Sequence, residues 1–122
     1  MKTFCPHCMD DTTCEVKDLK EVREIRGENF TTITPVVICK SCGNDFNNAA
    51  YPERSIPMAF QMYRERHHLM HPEEVYQARV KKNFSFKELA DLSEIFPERL
   101  RMIEQGALIT KEEDASLRRV LI

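Results

Sequence analysis

Four cysteines stand in two pairs whose spacing is typical of a metal site. Cys5 and Cys8 form one C-x-x-C pair, and Cys39 and Cys42 form the other, about thirty residues later. A two-residue gap lets a tight turn direct both sulfurs at one ion, and Gly43 can adopt the positive φ that such a turn often needs. We predict one structural Zn²⁺ per chain, bound by these four thiolates with no coordination position left open. Unliganded cysteines or two disulfides are the alternative.

The remaining cysteine and the histidines are weaker candidates for metal ligands. His67 and His71 are four residues apart and would share one helical face. No glutamate completes a zincin pattern with them, and Pro72 disfavours helical geometry at His71. We expect His7 to be a spacer in the first pair and Cys14 to be a buried residue without a ligand role. No nucleophile–base pair or phosphate-binding loop is visible, so we predict no catalytic residues and no enzymatic activity.

Length, charge and cysteine use limit the class of protein. The 122 residues suffice for one domain or two small ones. Cysteine pairs of this kind persist in the reducing cytoplasm, and we see neither a signal peptide nor an apolar run long enough to span a membrane. The net charge is −2, from 18 basic and 20 acidic residues, and neither half of the chain is basic. Any contact with nucleic acid must therefore come from locally clustered charge.

The segment between the cysteine pairs predicts a small antiparallel sheet. Residues 22–26 and 30–33 are expected to form two strands around a turn at residues 27–29, which supply glycine and asparagine. Pro35 should interrupt the second strand, and residues 36–38 should form a last short strand. A module of this size buries little apolar surface, so metal binding should contribute much of its folding energy.

A competing signal in the same segment favours a helix. Apolar residues recur at every third position, at Val16, Leu19, Val22 and Ile25. We prefer strands, because a helix ending near residue 26 would leave too little sheet around the metal. After a polar connection at residues 47–55, the pattern at residues 56–69 predicts a linker helix that packs on the metal module or on a second copy of the chain.

The rest of the chain, residues 72–122, predicts four short helices. Ser85 and Glu88 have the spacing of a capping box, Pro97 suits a first helical position, and Gly106 and Thr110 mark the end of one helix and the start of the next. The predicted helices cover about residues 72–83, 86–92, 97–105 and 111–120. The second and third, joined by a turn and buried through apolar residues such as Leu89, form a helix-turn-helix pattern.

Two short stretches make the resemblance to a known family specific. The sequence S-F-K-E-L-A at residues 85–90, followed by I-E-Q-G at residues 103–106, is similar to the Xre/Cro-type helix-turn-helix pattern T-Q-x-E-L-A to I-E-x-G. With the four-cysteine module in front of it, nearly the whole chain resembles the MqsA (YgiT-type) antitoxins.

This resemblance implies an α+β fold: a small zinc-bound antiparallel β module at residues 1–50, a linker helix at 51–71, and an all-α helix-turn-helix domain at 72–122. It also implies a homodimer that binds a palindromic operator in double-stranded DNA and represses its own operon. The zinc module would bind a cognate toxin, which in this family is an RNA-cleaving enzyme. The alternative is a zinc-stabilised protein-interaction adaptor that reads no specific DNA.

The predicted DNA-binding residues lie around the two central helices, and they depart from the family pattern in part. Phe86 stands where the family has glutamine, and Phe96-Pro97-Glu98 opens the helix expected to read the bases. Arg99 and Arg101 are predicted base or phosphate contacts, and a carboxylate at Glu98 can accept from cytosine N4. The full predicted set is Lys81, Lys82, Ser85, Lys87, Glu98, Arg99 and Arg101.

Overall fold

A computed structural model describes all 122 residues of the chain. Four strands, β1 (Lys2–Cys5), β2 (Asp10–Ile25), β3 (Glu28–Cys39) and β4 (Asp45–Phe46), pair antiparallel in the order β1-β2-β3-β4. Five helices follow: α1 (Ser55–His67), α2 (Pro72–Lys81), α3 (Phe86–Ser93), α4 (Pro97–Glu104) and α5 (Lys111–Leu121). The chain divides into two compact units, Met1–Ala59 and Phe60–Ile122, so the division falls within α1. A mixed fold, with a sheet first and helices after it, is confirmed.

The sheet is dominated by the long hairpin of β2 and β3. Their register is continuous from Cys14 opposite Cys39 to Ile25 opposite Glu28. The two turn residues, Arg26 and Gly27, have φ of 51° and 82°, as a two-residue hairpin turn of the primed type requires. The strand prediction for this segment is therefore confirmed and the helix alternative is wrong. The turn lies one residue earlier than predicted, and both strands are longer.

The prediction that Pro35 interrupts the second strand is wrong. β3 continues through Pro35, which lies opposite Asp18. Because β4 pairs only with Val37 and Ile38, β3 has no second neighbour at Pro35. Proline lacks an N–H, and it is tolerated where that position of the strand faces an open edge. The direction of the backbone N–H alternates along a strand, so residues 35 and 39 of β3 have the same direction. The Cys39 N–H points away from β2, because it donates to the Asn44 carbonyl, and the nitrogen of Pro35 therefore also faces away from β2.

Polar side chains fix the start of α1 on one face of the hairpin. Ser55, the first residue of α1, is buried, and its Oγ lies 2.8 Å from Thr32 Oγ1 and accepts from Arg23 Nε at 2.8 Å. The Ser55 N–H donates to Glu53. Each buried hydroxyl therefore has a partner, which is the condition for placing polar groups under a helix start. α1 ends at His67, two residues before the predicted end, and His68 follows with φ of 55°.

The second unit is built by short helices around an apolar core. Val75, Leu89, Leu100, Ile103 and Leu117 are fully buried, one or two from each of α2 to α5. The Ser85 hydroxyl accepts from the Glu88 N–H at 3.1 Å and the Glu88 carboxylate accepts from the Ser85 N–H, so the predicted capping box is confirmed. α3 ends at Glu94 in the left-handed conformation (φ 63°), and α4 begins at Pro97 after a short turn.

No helix of the chain combines the length and the apolar character that crossing a membrane requires.

A partly buried ion pair links α2 to α4. Arg79 Nε and Nη2 donate to the two carboxylate oxygens of Glu104 at 2.7 and 3.1 Å, and Nη1 donates to the Phe84 carbonyl at 2.9 Å. The two side chains are 14% and 8% exposed. Since the Glu104 carboxylate has little access to water, it depends on the guanidinium for solvation.

We expect Arg79→Ala to lower the free energy of unfolding of the helical unit by roughly 3–5 kcal/mol, because it leaves the Glu104 carboxylate buried without its partner. Gln77→Ala, an exposed change on the same helix, should cost less than about 0.5 kcal/mol. Urea unfolding followed by far-ultraviolet circular dichroism measures both. Equal, small losses in the two variants would show that the ion pair is not structurally important.

Candidate functional site

The four predicted ligand cysteines converge at one end of the sheet. Cys5 and Cys39 end β1 and β3, and Cys8 and Cys42 lie in the loops that follow these strands. Cys5 Sγ and Cys42 Sγ are 3.7 Å apart, Cys8 Sγ and Cys39 Sγ are 3.9 Å apart, and all four sulfurs lie within 4.8 Å of one another. The sequence spacing therefore identified a set of residues that can hold one metal ion.

The two cysteine loops have the same backbone geometry. The N–H of Met9 donates to the Cys5 carbonyl at 2.8 Å, and the N–H of Gly43 donates to the Cys39 carbonyl at 2.8 Å. Met9 and Gly43 both have positive φ, 58° and 75°. The conformation expected for Gly43 is confirmed. The matching one at Met9 was not predicted, because a residue with a side chain rarely adopts it and gives no sequence signal.

The sulfur geometry fits a tetrahedral thiolate site. Four ligands about 2.3 Å from a zinc ion at tetrahedral angles are separated by about 3.8 Å, which is close to the two shortest sulfur distances in the cluster. Soft thiolate ligands in a set of four favour zinc over calcium or magnesium. The Cys8 N–H also donates to Cys5 Sγ at 3.4 Å, a contact that offsets part of the negative charge of a thiolate.

Two of the thiols, Cys8 and Cys39, differ in their ability to ionise. The pKa of the Cys39 thiol is lowered to about 5, first because the Thr12 hydroxyl hydrogen-bonds its sulfur and then because the Cys42 N–H donates to it. The pKa of the Cys8 thiol is raised to about 12, first by its hydrogen bond with Cys42 and then by burial. Sulfurs this close cannot all be thiolates without a cation between them, so the cluster favours a bound divalent ion.

Thr12 is a residue of this site that the sequence analysis missed. Its Oγ1 lies 3.1 Å from Cys39 Sγ and 3.4 Å from Cys14 Sγ. The fifth cysteine, Cys14, is buried as expected and packs with Cys5, Val37 and Cys39 beneath the cluster. The signal that could have identified Thr12 is its position two residues before Cys14 on the strand that pairs with β3, since alternate residues share one face of a sheet.

His67 and His71 belong to the second unit. His67 stacks on the Tyr63 ring, with centroids 4.2 Å apart, and the His71 N–H donates to the Glu74 carboxylate at the start of α2. These contacts give both residues a structural role. The absence of a second metal site stays a prediction.

We expect the reduced protein to contain about one zinc per chain and Cys39→Ser to lose it, because three thiolates and a hydroxyl bind zinc more weakly than four thiolates. The first unit should then lose its structure while the helices keep theirs. Cys14→Ser is the matched control and should retain the metal. Elemental analysis and amide hydrogen exchange measure metal content and local folding. A folded first unit without metal would contradict the assignment.

Most of the predicted DNA-binding residues lie where α2 ends and α3 begins. Lys81 and Lys82 are exposed at the end of α2, Ser85 caps α3, and Lys87 is exposed in its first turn. Arg101 of α4 contacts the start of α3, because its guanidinium lies 5.4 Å from the centroid of the Phe86 ring. We call Lys81, Lys82, Lys87 and Arg101 the basic patch.

Phe86 explains how α4 is held beside this patch. Its ring also contacts the Arg79 guanidinium, 4.3 Å from the centroid, so both arginines contact the ring. Such contacts are worth about 0.5–1 kcal/mol each at exposed sites. Phe86 thus positions Arg101.

The outer face of α4 contains more residues than the sequence analysis named. Leu100 and Ile103 are buried, and the exposed residues are Glu98, Arg101, Met102 and Gln105. Met102 and Gln105 were missed, although helical spacing from Glu98 would have placed them on the same face.

Arg99, in contrast, is bonded within the protein. Its Nε and Nη2 donate to the Glu113 carboxylate at 2.7 and 2.8 Å, and Nη2 also donates to the Leu108 carbonyl at 3.0 Å. The hydrogen bond to Arg99 is the main reason why the pKa of the Glu113 carboxyl is lowered. These bonds give Arg99 a structural role between α4 and α5, and its contact with DNA stays a prediction.

The turn between α3 and α4 is apolar and acidic. Phe96 is 79% exposed and Leu92 is 50% exposed. A shallow groove of about 250 Å³ lies beside them, lined by Ala90, Asp91, Glu94, Ile95, Phe96 and Pro97. This surface has the opposite electrostatic character to the basic patch.

The lowered pKa of Glu113 predicts an acid-sensitive helical unit. Its contribution to stability is fully present above the ordinary pKa of 4.5 and is lost as the pH falls through the lower value of the folded state. Glu113→Gln should therefore be less stable than the wild type at neutral pH and should lose less stability between about pH 5 and pH 3. Urea unfolding over this range measures the difference. Glu112→Gln, an exposed change on the same turn, should keep the wild-type dependence, and an unchanged slope in Glu113→Gln would contradict the assignment.

Comparison of the chain with protein-family models, with characterised proteins and with solved structures found no match.

Proposed function

We propose that the protein is a zinc-containing, DNA-binding transcriptional regulator that acts as the antitoxin of a toxin–antitoxin pair. In this proposal Cys5, Cys8, Cys39 and Cys42 hold one structural Zn²⁺, and α3 and α4 are a helix-turn-helix. The observation that supports DNA binding most directly is the basic patch beside the exposed face of α4.

The basic patch suits a phosphate backbone. Lys81, Lys82 and Lys87 surround the start of α3, whose first N–H groups and dipole also favour an anion. Contacts of this kind set the affinity and the orientation of a protein on DNA, and they make binding fall steeply with salt. A chain with a net charge of −2 thus carries a local surface that attracts a polyanion.

The outer face of α4 suits the edges of bases. Arg101 can donate two hydrogen bonds to guanine, Gln105 can pair with adenine, and Met102 can contact a thymine methyl. Glu98 lies in the first turn of α4, where a carboxylate complements the helix dipole, and it can accept from cytosine N4. In the proposal α4 is the recognition helix, and a homodimer places two copies about 34 Å apart on a palindrome.

The antitoxin role rests on the resemblance of the two sequence modules, four cysteines followed by an Xre-type pattern, to the MqsA family. In this role the metal-bound sheet neutralises a toxin by binding it, and the helical unit represses the operon. The chain itself performs no catalysis, and its activity is binding.

A second candidate function is a protein-interaction adaptor. The exposure of Phe96 and Leu92 and the acidic residues of the neighbouring groove favour it, because such a surface repels phosphate and suits a basic, apolar partner. The two functions differ in salt dependence, since DNA binding releases counterions and an apolar contact does not.

We expect the substitutions in the basic patch to separate into two classes. Lys87→Ala should weaken binding to all duplexes and reduce the salt slope by about 1, as loss of one phosphate contact does. Arg101→Ala should weaken binding to the selected operator by roughly 1–3 kcal/mol more than binding to random DNA. Lys111→Ala, an exposed lysine at the start of α5, is the control and should change neither.

Operator sequences are obtained by selection from random duplexes, and affinities by fluorescence anisotropy at several salt concentrations. Failure of the wild type to bind any duplex at low salt would overturn the DNA-binding function and favour the adaptor. Equal losses on operator and random DNA for Arg101→Ala would show that α4 does not read bases.

The antitoxin role predicts that this chain protects cells from the product of a neighbouring gene. Expression of that gene alone should arrest growth, and co-expression of the full chain should restore it. Cys39→Ser should lose protection because the toxin-binding module unfolds without metal, and Arg101→Ala should keep it. Protection by Cys39→Ser at equal protein level would contradict a role of the metal module in toxin binding.

A further inference from the structure

Cys14 faces one of the proposed metal ligands across the sheet. It lies directly opposite Cys39 in the register of β2 and β3. The Cys14 N–H donates to the Met1 carbonyl and the Cys14 carbonyl accepts from the Met1 amino group, so both backbone groups of Cys14 point away from β3. The Cys39 N–H donates to the Asn44 carbonyl and therefore points away from β2. Cys14 and Cys39 are therefore a non-hydrogen-bonded pair of an antiparallel ladder.

The geometry of such a pair permits a disulfide. Non-hydrogen-bonded partners have Cα atoms about 4.5 Å apart and side chains on the same face. Disulfides span Cα separations of about 4.4–6.8 Å. Cys14 and Cys39 satisfy this condition without movement of the strands, since both belong to one continuous stretch of paired residues.

The two side chains also share their surroundings. Cys14 and Cys39 are 1% and 0% exposed and pack in the same small core, and Thr12 Oγ1 lies within hydrogen-bonding distance of both sulfurs. Cys8 Sγ, which is 3.9 Å from Cys39 Sγ, belongs to an exposed residue and is accessible to a small oxidant. A path for oxidation thus leads from the surface to the buried pair.

We propose that Cys14 is the thiol that takes over the disulfide of an oxidation site, in which a peroxide converts the metal-bound cluster into a form with a Cys14–Cys39 disulfide and no metal. The proposal rests on the metal centre proposed above and is independent of DNA or toxin binding. It assigns a chemical role to the one cysteine that the metal site does not use.

The reaction proceeds in three balanced steps. The Cys8 sulfur, which is a thiolate in the metal-bound cluster, attacks hydrogen peroxide, an S–O bond forms as the O–O bond breaks, and the product is a sulfenic acid and, after protonation, water. The Cys39 thiolate then attacks the Cys8 sulfur and expels hydroxide, which takes a proton and becomes a second water. Finally Cys14 loses its proton and attacks the Cys39 sulfur, and Cys8 leaves as a thiolate. Two thiols and one peroxide give one disulfide and two waters.

The product cannot hold the metal in its original geometry. Cys39 is tied to β2 by the new bond, and three cysteines remain for the ion. Because a closed four-thiolate site has lost one ligand, its affinity falls and the ion leaves. Reduction of the disulfide restores all four ligands, so the change is reversible.

The test uses the reduced, zinc-loaded full chain. After treatment with hydrogen peroxide, released zinc is measured with a chromogenic chelator, free thiols are alkylated, and linked peptides are identified by mass spectrometry. We expect release of the zinc together with a dominant Cys14–Cys39 linkage, and recovery of zinc content after dithiothreitol and added zinc. In Cys14→Ser we expect normal zinc content before oxidation and a Cys8–Cys39 linkage after it, so that Cys8, which is alkylated in the oxidised wild type, is blocked in the variant.

Two results would overturn the proposal: a Cys14 thiol that is still alkylated after zinc release in the wild type, or, after one equivalent of peroxide, a Cys8 thiol that is blocked in the wild type as it is in Cys14→Ser. Cys14→Ala replaces the serine variant if a buried hydroxyl prevents folding. A reduced protein without zinc would overturn the metal centre alone, because the linkage map still decides whether Cys14 pairs with Cys39.

Discussion

The convergence of four sulfur atoms within 4.8 Å is the constraint on which the first unit depends. A sheet of one long hairpin and two very short strands buries few large apolar side chains, with Phe30 and Val37 the principal ones. Units of this kind are marginal without an additional source of stability. Thiolates so close together repel one another, and a divalent ion bound between them would remove this repulsion and link β1 to β3. Folding and metal binding would then be one equilibrium in this unit.

The second unit obtains its stability by other means. Fully buried aliphatic side chains from each of α2 to α5 form its core, and two arginine–glutamate pairs, Arg79–Glu104 and Arg99–Glu113, connect its helices. These pairs use arginines that would otherwise add to the positive surface. The exposed residues near the two ends of α3 differ in character: a basic patch lies at its start, and an acidic, apolar turn lies at its end. One short helix thus separates two surfaces that suit different partners.

The features that could be predicted from the sequence were those with local causes. The spacing of the cysteines, the capping box of Ser85 and Glu88, and the start of α4 at Pro97 depend on residues a few positions apart. The errors and omissions depend on distant residues or on the position of a strand in the sheet. Pro35 fits because β3 has an open edge there, and Arg99 lies inward because Glu113, on another helix, accepts its hydrogen bonds. Neither fact can be read from neighbouring residues.

The length and regularity of the β2–β3 hairpin impose an order on folding. The tight turn at Arg26 and Gly27 brings Ile25 and Glu28 together first, and each later pair closes only a slightly larger loop than the one before it. Cys14 and Cys39 are the last pair of this series. Hairpins close in about 1–10 μs, far faster than a ribosome adds a residue. The four sulfurs thus come together only when the two strands are paired along their whole length, and an ion held by all four would keep the far end of the hairpin closed.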